Sequence, residues 1–371
     1  RNVRKDLADI FCTNADGIRG KKAVEWKLVD YIAPPSRFDN LIEERVIEVS
    51  NSVKLRNGTN GVKLHKLNRI ISDEGINYEF VLSKIDKERR IANIHIIGPG
   101  DNNLITPDEA EKLGCEWWPL KFARELEDLI LLLRTNELEV GVFTITSEGD
   151  TDNILNVTNF LENNKNNWFI NETIGLLRRT LSRLDLSSRS IFTIIDNKSC
   201  FSGILAELLF CADRTYMLNN SLAADTIKGP YICLSDLNFA SLEMINGLTR
   251  LATRFNNNKL KLNTLRKLIN KKMNAEKAYN EELITVIPDD LDWKEEIRLS
   301  LEERTSLSPD ALTGLEANLR FPGKETCETK IFGRLSAWQN WIFNRPNAVG
   351  KKGALKLFGT GTRAKFDNKR V

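Results

Sequence analysis

Two side chains near the middle of the chain have residue types and positions that could support covalent or proton-transfer chemistry. Cys200 lies in residues 199–203, between an apolar strand pattern and a helix pattern. A helix amino terminus lowers the pKa of a thiol, and its backbone N–H groups can polarise a carbonyl oxygen. Asp236 follows the apolar residues 231–234 and could act as a general acid or base. The alternatives are a tight strand-to-helix turn with a packed cysteine for Cys200 and a helix or turn cap for Asp236.

Two further ionisable side chains lie in apolar surroundings. Glu207 interrupts the apolar residues 205–212, where a carboxylate is either functional or paired with a buried cation; Arg178 and Arg214 are the candidate partners. His95 lies within a strand pattern and is interpreted as a packed strand residue rather than a ligand.

Residues 316–347 are unusually rich in arginine, tryptophan and amide side chains. Aromatic rings among guanidinium groups suit a planar or anionic ligand, through stacking and forked hydrogen bonds. The alternative is a helix that docks its tryptophans on the protein body while its arginines pair with Glu325 and Glu328. The candidate binding residues of this segment are Glu316, Arg320, Arg334, Gln339 and Arg345.

The stretch from 345 to 371 is basic and rich in glycine. Its lysines and arginines would attract a phosphate-bearing partner. A loop that is only solvated is the alternative.

Composition excludes several classes of protein. The 371 residues carry 54 Lys and Arg against 51 Asp and Glu, so the formal charge is +3, too small for a chain-wide nucleic-acid or polybasic membrane protein. Unbroken apolar runs, such as residues 129–133, are far shorter than the ~20 residues of a membrane span. The six cysteines include no CxxC pair, and there are two histidines. We therefore predict no metal site, free thiols and a reducing, cytoplasmic location.

Hydrophobic periodicity predicts the elements that position these residues. Strand patterns occupy residues 78–85, 91–97, 140–146, 190–195, 215–218 and 231–234, and helix patterns occupy 118–134, 168–184 and 205–212. This alternation predicts an α/β layer fold, and helices dominate beyond residue 262. Ahead of the first strand, residues 28–33 resemble a strand, residues 41–49 a helix and residues 57–61 a linker.

Longer blocks of sequence carry a family resemblance. Residues 11–30 resemble the end of an enoyl-CoA hydratase (crotonase) unit, and residues 78–290 resemble a second, diverged unit. Residues 117–126, 172–180, 312–320 and, most specifically, 331–350 are similar to the benzoyl-CoA-dihydrodiol lyase family.

The resemblance implies an α/β crotonase-like fold, with the ClpP/crotonase spiral of ββα units and a helical C-terminal region. It divides the chain into the tail of a first unit (1–39), a helix and linker (40–77), a diverged second unit (78–290) and a helical cover (291–371). It implies an acyl-CoA substrate, no cofactor beyond the coenzyme A of that substrate, and no nucleic-acid or membrane partner. Homo-oligomerisation is left open.

The family's activity implies that water opens the ring of 2,3-epoxybenzoyl-CoA in aerobic benzoate degradation, giving 3,4-dehydroadipyl-CoA semialdehyde and formate. The corner after Cys200 departs from the superfamily pattern, with Ile204 and Leu205 where glycines are expected, and Asp236 replaces a superfamily glutamate. We therefore expect the second unit to be a structural copy, and the catalytic glutamates to lie upstream of Arg1. An inactive structural or partner-binding protein is the alternative, as is a second unit with its own activity.

Overall fold

The computed structural model describes residues 3–52, 61–100, 106–220, 229–323 and 325–370. Contacts between residues divide the chain into two compact units, Arg1–Gly61 and Val62–Val371. The division falls at the predicted linker, of which residues 57–60 lie outside the described part of the chain.

The smaller unit is helical where it is described. It comprises α1 (Lys5–Thr13), α2 (Lys21–Glu25), a 3-10 turn (Pro35–Arg37) and α3 (Phe38–Ser52). The prediction of a strand over residues 28–33 is wrong, because this segment has no partner strand to take up its backbone hydrogen bonds among the described residues. Instead, the Leu28 N–H donates to the Ala23 carbonyl and closes the turn that follows α2.

The larger unit is built on a sheet whose described strands pair in chain order. The first four are joined by antiparallel pairs and the last four by parallel pairs. The sheet begins before residue 78, the predicted start of the second crotonase-like unit. The strands are β1 (Ile70–Ser72), β2 (Gly75–Asn77), β3 (Val81–Asp86), β4 (Ile91–Ile97), β5 (Val142–Glu148), β6 (Ser190–Ile195) and β7 (Arg214–Met217).

Helices alternate with the parallel strands, and beyond the last strand helices are the main described elements, as the sequence predicts. The helices of the α/β part are α4 (Pro107–Leu113), α5 (Trp118–Asn136), α6 (Thr151–Asn163), α7 (Trp168–Asp185), α8 (Gly203–Phe210), α9 (Arg250–Arg254), α10 (Lys259–Arg266) and α11 (Ala275–Asn280). The C-terminal helices are α12 (Trp293–Ser306), α13 (Pro309–Arg320), a π-helix (Thr329–Leu335), α14 (Ser336–Ile342), α15 (Pro346–Val349) and α16 (Ala354–Leu357).

Helices cover the sheet with apolar side chains on both faces. On one face, α5 and α7 contribute residues such as Leu126, Ile130 and Leu177 to the main core. On the other, Trp293 and Ile297 of α12 pack on a smaller cluster formed by Ile91, Val142, Phe192 and Tyr216. Helix α12 of the C-terminal region is thus part of the layered fold.

Two elements differ from the sequence-based expectation. Helix α6 is not predicted, because asparagines and β-branched residues give it poor intrinsic propensity. Asp150 nevertheless caps it by accepting the N–H groups of Asp152 and Asn153. The strand predicted over residues 231–234 does not join the sheet. It forms isolated bridges, including one between Ile232 and Met273.

Candidate functional site

The corner predicted to carry Cys200 lies where parallel strands end. Strands β4, β5 and β6 bring their carboxyl ends to one edge of the sheet, where α/β proteins usually bind ligands. The Cys200 thiol packs against two glycine backbones there: a Cβ added at Gly98 or Gly149 would lie 3.4 or 3.2 Å from its Sγ. The thiol occupies this space itself.

The environment of Cys200 favours the packed-turn interpretation over the nucleophile. The side chain is fully buried, and the backbone N–H donates to Ser147 Oγ at 3.0 Å. Burial raises the pKa of the Cys200 thiol to about 11, so it is protonated at neutral pH. A protonated, buried thiol is a poor nucleophile.

Thiol accessibility gives a direct check on this geometry. We expect Cys12 and Cys327, which are exposed, to react rapidly with an aromatic disulfide reagent at pH 7. The four buried thiols should react only after unfolding; these are Cys115, Cys200, Cys211 and Cys233. Peptide mass spectrometry after timed labelling identifies each site. Rapid labelling of Cys200 in the native protein would contradict the packed-turn interpretation, and complete labelling in guanidinium chloride is the control.

Backbone N–H groups at this corner already have acceptors within the protein. An oxyanion site needs donors that point at an unoccupied position. Here Gly203 also has a positive φ of 49°, and an added Cβ would collide with the Thr158 side chain. The donor–acceptor pairs are Cys200 N–H to Ser147 Oγ, Ser202 N–H to Cys200 O, Gly203 N–H to Cys233 O and Ile204 N–H to Thr158 Oγ1. These four N–H groups are therefore unavailable to a substrate carbonyl.

Glu207, one turn into α8, belongs to a buried ionic network. Its Oε2 accepts from Arg250 Nη1 at 2.9 Å, and its Oε1 accepts from Asn238 Nδ2 at 2.8 Å. Arg250 also makes a forked pair with Asp185, at 3.0 Å from Nε and 2.6 Å from Nη2. Although burial alone lowers the pKa of Arg250, the Asp185 and Glu207 carboxylates raise it well above its usual value. The acid is thus paired with a buried cation.

The predicted partners of Glu207 are wrong. Arg178 is exposed on α7, and Arg214 lies 3.7 Å from Glu303. The true partner, Arg250, comes from a short helix further along the chain, and no local pattern indicates that pairing.

Asp236 is exposed and begins a 3-10 turn (Asp236–Phe239). The cap of this turn comes from its neighbours: the Ser235 N–H donates to Asn238 Oδ1 at 2.9 Å. The turn packs on the corner because Asn238 Nδ2 donates to the Gly203 carbonyl at 2.9 Å. The acid/base role of Asp236 stays a prediction. Its carboxyl is exposed, and the described residues at this corner show no contact that would assign it a role.

At the opposite edge of the sheet, α13 brings Glu316 and Arg320 to the amino ends of β6 and β7. Arg320 forms a forked pair with Asp213, at 3.1 Å from Nε and 2.6 Å from Nη2. Its remaining donors reach the backbone carbonyls of Asp185, Ser187 and Arg189. All five N–H donors of this guanidinium are engaged. The role in binding an anionic ligand that the sequence predicts for Arg320 therefore finds no free donor.

Glu316 is buried beside Arg320. Its Oε1 accepts from the Ser190 hydroxyl and from Arg304 Nη1 at 3.5 Å, and Arg370 Nη1 lies 3.8 Å from its Oε2. Burial raises the pKa of the Glu316 carboxyl. Arg370 is itself buried and donates to the carbonyls of Pro309 and Gly141. The interpretation of the basic C-terminal stretch as only solvated is therefore wrong at this residue.

Arg334, in the π-helix, connects two segments of the cover. Its Nε lies 3.1 Å from Glu325 Oε1, in agreement with the ion pair proposed as the alternative. Its Nη groups donate to the carbonyls of Asn318 and Phe321 at the end of α13. Such cationic capping of a helix carboxyl terminus is a structural role.

Arg345 and Gln339 lie beside an open cavity of ≈ 360 Å³ between α13 and α14. Gln339 lines this cavity and is exposed. Arg345 Nε donates to Asp310 Oδ1 at 3.1 Å, and its guanidinium lies 5.3 Å from the Trp341 ring centroid. Sequence reasoning missed Asp310, because Ser308-Pro-Asp is the ordinary start of a helix and does not reveal burial.

A curated protein is similar in sequence to this chain along its whole length. The chain is 47% identical, over all 371 residues, to benzoyl-CoA-dihydrodiol lyase of Aromatoleum evansii, and it spans 66% of that protein's length. No family model matches the chain.

Solved structures of low sequence identity share the fold. An enoyl-CoA hydratase of Geobacillus kaustophilus gives a TM-score of 0.54 at 16% identity, over 79% of this chain and 98% of that chain. An enoyl-CoA hydratase/isomerase of Cupriavidus metallidurans gives 0.52 at 12% identity, over 81% and 97%. The predicted α/β crotonase-like fold with a helical C-terminal region is confirmed. None of the described helices is long and apolar enough to cross a membrane.

Proposed function

We propose that the chain belongs to the benzoyl-CoA-dihydrodiol lyase family and forms part of a lyase acting on an aromatic acyl-CoA, since it has the crotonase fold and is similar along its whole length to a member of that family. The observation that carries this proposal is the 47% identity along all 371 residues. The proposed substrate is 2,3-epoxybenzoyl-CoA, whose ring is opened with water to 3,4-dehydroadipyl-CoA semialdehyde and formate. The proposed reaction uses no metal or redox cofactor, and coenzyme A enters as part of the substrate.

The corner around Cys200 supports a proposal about which part of the enzyme carries out catalysis. Thioester chemistry in such a lyase requires backbone donors to hold the carbonyl oxygen and carboxylates to move protons. The N–H groups of Gly203 and Ile204 already have protein acceptors, and Glu207 is paired with Arg250. We therefore assign both tasks to the part of the A. evansii protein that this chain does not span, and a scaffold and cover role to residues 62–371.

A second candidate function comes from the same observation. A corner whose donors are engaged and whose thiol is buried also suits a structural or partner-binding protein without turnover. The two candidates differ in whether formate appears once the catalytic groups are supplied.

Formate release tests both candidates. The purified 371-residue chain is incubated with 2,3-epoxybenzoyl-CoA, alone and with a polypeptide comprising the unmatched part of the A. evansii enzyme. Formate is measured enzymatically and the semialdehyde by mass spectrometry, with the intact A. evansii enzyme as positive control. We expect formate only from the combination.

Other outcomes separate the alternatives. No formate from the combination, with turnover by the positive control, would support the inactive protein. Turnover by the chain alone, lost in Asp236→Asn or Cys200→Ala, would place the chemistry at the corner and contradict the proposed division of work.

A further inference from the structure

A second cavity of ≈ 360 Å³ lies beside the amino ends of β6 and β7, between α9, α13 and the turn that joins α8 to β7. Its volume is within the range of small-molecule sites. The wall combines apolar side chains with guanidinium groups, and we call this space the arginine cavity. The apolar side chains are Phe210, Met244, Leu315, Leu319 and Pro322, and the cationic ones are Arg250, Arg254, Arg304 and Arg320.

The carboxylates in the wall of the arginine cavity already have arginine partners. Three acids line the cavity, and each forms an ion pair with one of the lining arginines. A ligand therefore meets paired acids, whose negative charge is compensated within the protein. The pairs are Asp185 with Arg250, Asp213 with Arg320 and Glu316 with Arg304.

Arg254 of α9 is a lining cation without an ion pair among the described residues. Its Nε donates to the Glu282 carbonyl at 3.0 Å, while the carboxylate of Glu282 pairs with Lys261 at 3.1 Å. Burial lowers the pKa of Arg254 more than the nearby Glu282 carboxylate raises it. An anion in the cavity would offset the cost of burying this charge.

Arg304 of α12 has donors that a ligand can reach. The residue is only 8% exposed, and its Nη1 makes two long contacts, at 3.5 Å to Ser190 Oγ and 3.5 Å to Glu316 Oε1. Its Nε and Nη2 have no hydrogen-bond partner among the described residues, and protein atoms do not enclose them completely. The same is true of both Nη groups of Arg254. The cavity is the open space that both residues line.

We propose that the arginine cavity binds a small organic carboxylate, whose oxygens accept hydrogen bonds from Arg254 and Arg304 while its hydrocarbon part contacts the apolar wall. A planar guanidinium matches the geometry of a carboxylate through forked N–H pairs. Side chains such as Met244 and Leu319 offer no strong hydrogen bonds, so an apolar group suits that wall better than a hydrated inorganic anion. This site goes beyond the proposed lyase function, since it lies at the opposite edge of the sheet from Cys200.

Hexanoate and hexanamide form the discriminating pair of probes, because they have the same shape and differ in charge. A ligand-observed NMR titration of the full chain should show saturable hexanoate binding at millimolar concentration or below. Hexanamide should bind more weakly by at least about tenfold, the loss of one charge-assisted hydrogen bond. Acetate, which lacks most of the hydrocarbon, should also bind more weakly by at least about tenfold.

Two substitutions test the assigned donors. Arg254→Gln and Arg304→Gln, each with a melting temperature measured alongside, should weaken hexanoate binding by about tenfold. Arg254 has no ion pair to lose, so Arg254→Gln gives a folded variant even where Arg304→Gln is unstable. The matched control is Arg298→Gln, which removes the same charge from the exposed surface of α12 and should leave the affinity unchanged.

Three outcomes would overturn the proposal: no saturable binding of millimolar hexanoate, equal affinities for hexanoate and hexanamide, or wild-type affinity in the folded Arg254→Gln variant. Inorganic phosphate that displaces hexanoate with equal or higher affinity would also overturn it, because the cavity would then be a general anion site. None of these results depends on turnover, so the carboxylate site and the proposed lyase activity succeed or fail separately.

Discussion

Replacing Arg250 by alanine should lower the free energy of unfolding of the 62–371 unit by about 3–5 kcal/mol, the range for breaking a buried ion pair. The guanidinium is 1% exposed and lies between two buried carboxylates, Asp185 and Glu207. It also donates to the Leu242 carbonyl at 3.0 Å. Its removal leaves two buried carboxylates of like charge facing each other without their common cation.

Urea denaturation followed by circular dichroism measures this loss. The matched control is Arg298→Ala, which removes an arginine that also contacts two carboxylates, Glu295 and Glu302, on the exposed surface of α12. Water screens that network, so the control should change stability little. Equal effects of the two substitutions would contradict the prediction.

A triple variant separates two contributions to stability: the cost of leaving buried charges unpaired and the stabilisation that the intact network provides. Asp185→Val, Glu207→Val and Arg250→Met together remove every charge of the buried network and keep the total side-chain volume close to its original value. Such replacements are often neutral or stabilising. We expect the triple variant to be more stable than Arg250→Ala alone. A further loss in the triple variant would show that the network contributes through geometry that apolar packing does not replace.

Replacing Arg320 by alanine should have an effect of similar size, about 3–5 kcal/mol, because it too breaks a buried pair. The side chain holds Asp213 and three backbone carbonyls at the amino ends of β6 and β7. Arg320→Lys should recover only part of the loss, since an ammonium group lacks the planar fork that matches Asp213.

Amide hydrogen exchange locates the damage from Arg320→Ala. The Ile191 N–H, which donates to Asp213 Oδ2 at 2.8 Å, should lose protection, whereas amides of β3 should not. Full stability of Arg320→Lys would contradict the fork argument.

The bounds of strands and helices with strong local hydrophobic patterns are predicted well from the sequence. The hairpin of β3 and β4, the strand β6 and the helix α7 are predicted close to their observed bounds. Each is specified within its own residues: β6 by a mostly apolar run, and α7 by Ile174, Leu177 and Leu181 on one face. The core around the sheet can be predicted from these patterns. Apolar residues that recur with the period of a strand or a helix lie on one face of that element, and that face is buried.

The features that sequence reasoning misses depend on distant residues. Arg250 pairs across the fold with Glu207, and Arg320 of the cover holds the start of β6, so neither pairing has a local signal. Strands β1 and β2 are three residues each, too short for periodicity to appear. The corner at Cys200 can be recognised from the sequence as a strand-to-helix turn. That Ser147 and Thr158 accept hydrogen bonds from its N–H groups is visible only in the folded structure.

The order of the strands affects how the polypeptide can assemble during synthesis. Each described strand of the sheet after the first pairs with the one made just before it, so the sheet can grow at a single edge as the chain leaves the ribosome. Among these described strands, none has to wait for a later one before it can pair. Helix α13 emerges after all of them and delivers Arg320 and Glu316 to strand ends that are already in place. We therefore expect a nascent chain that stops before α13 to hold a sheet whose amino ends at β6 and β7 lack their contacts with Arg320 and Glu316.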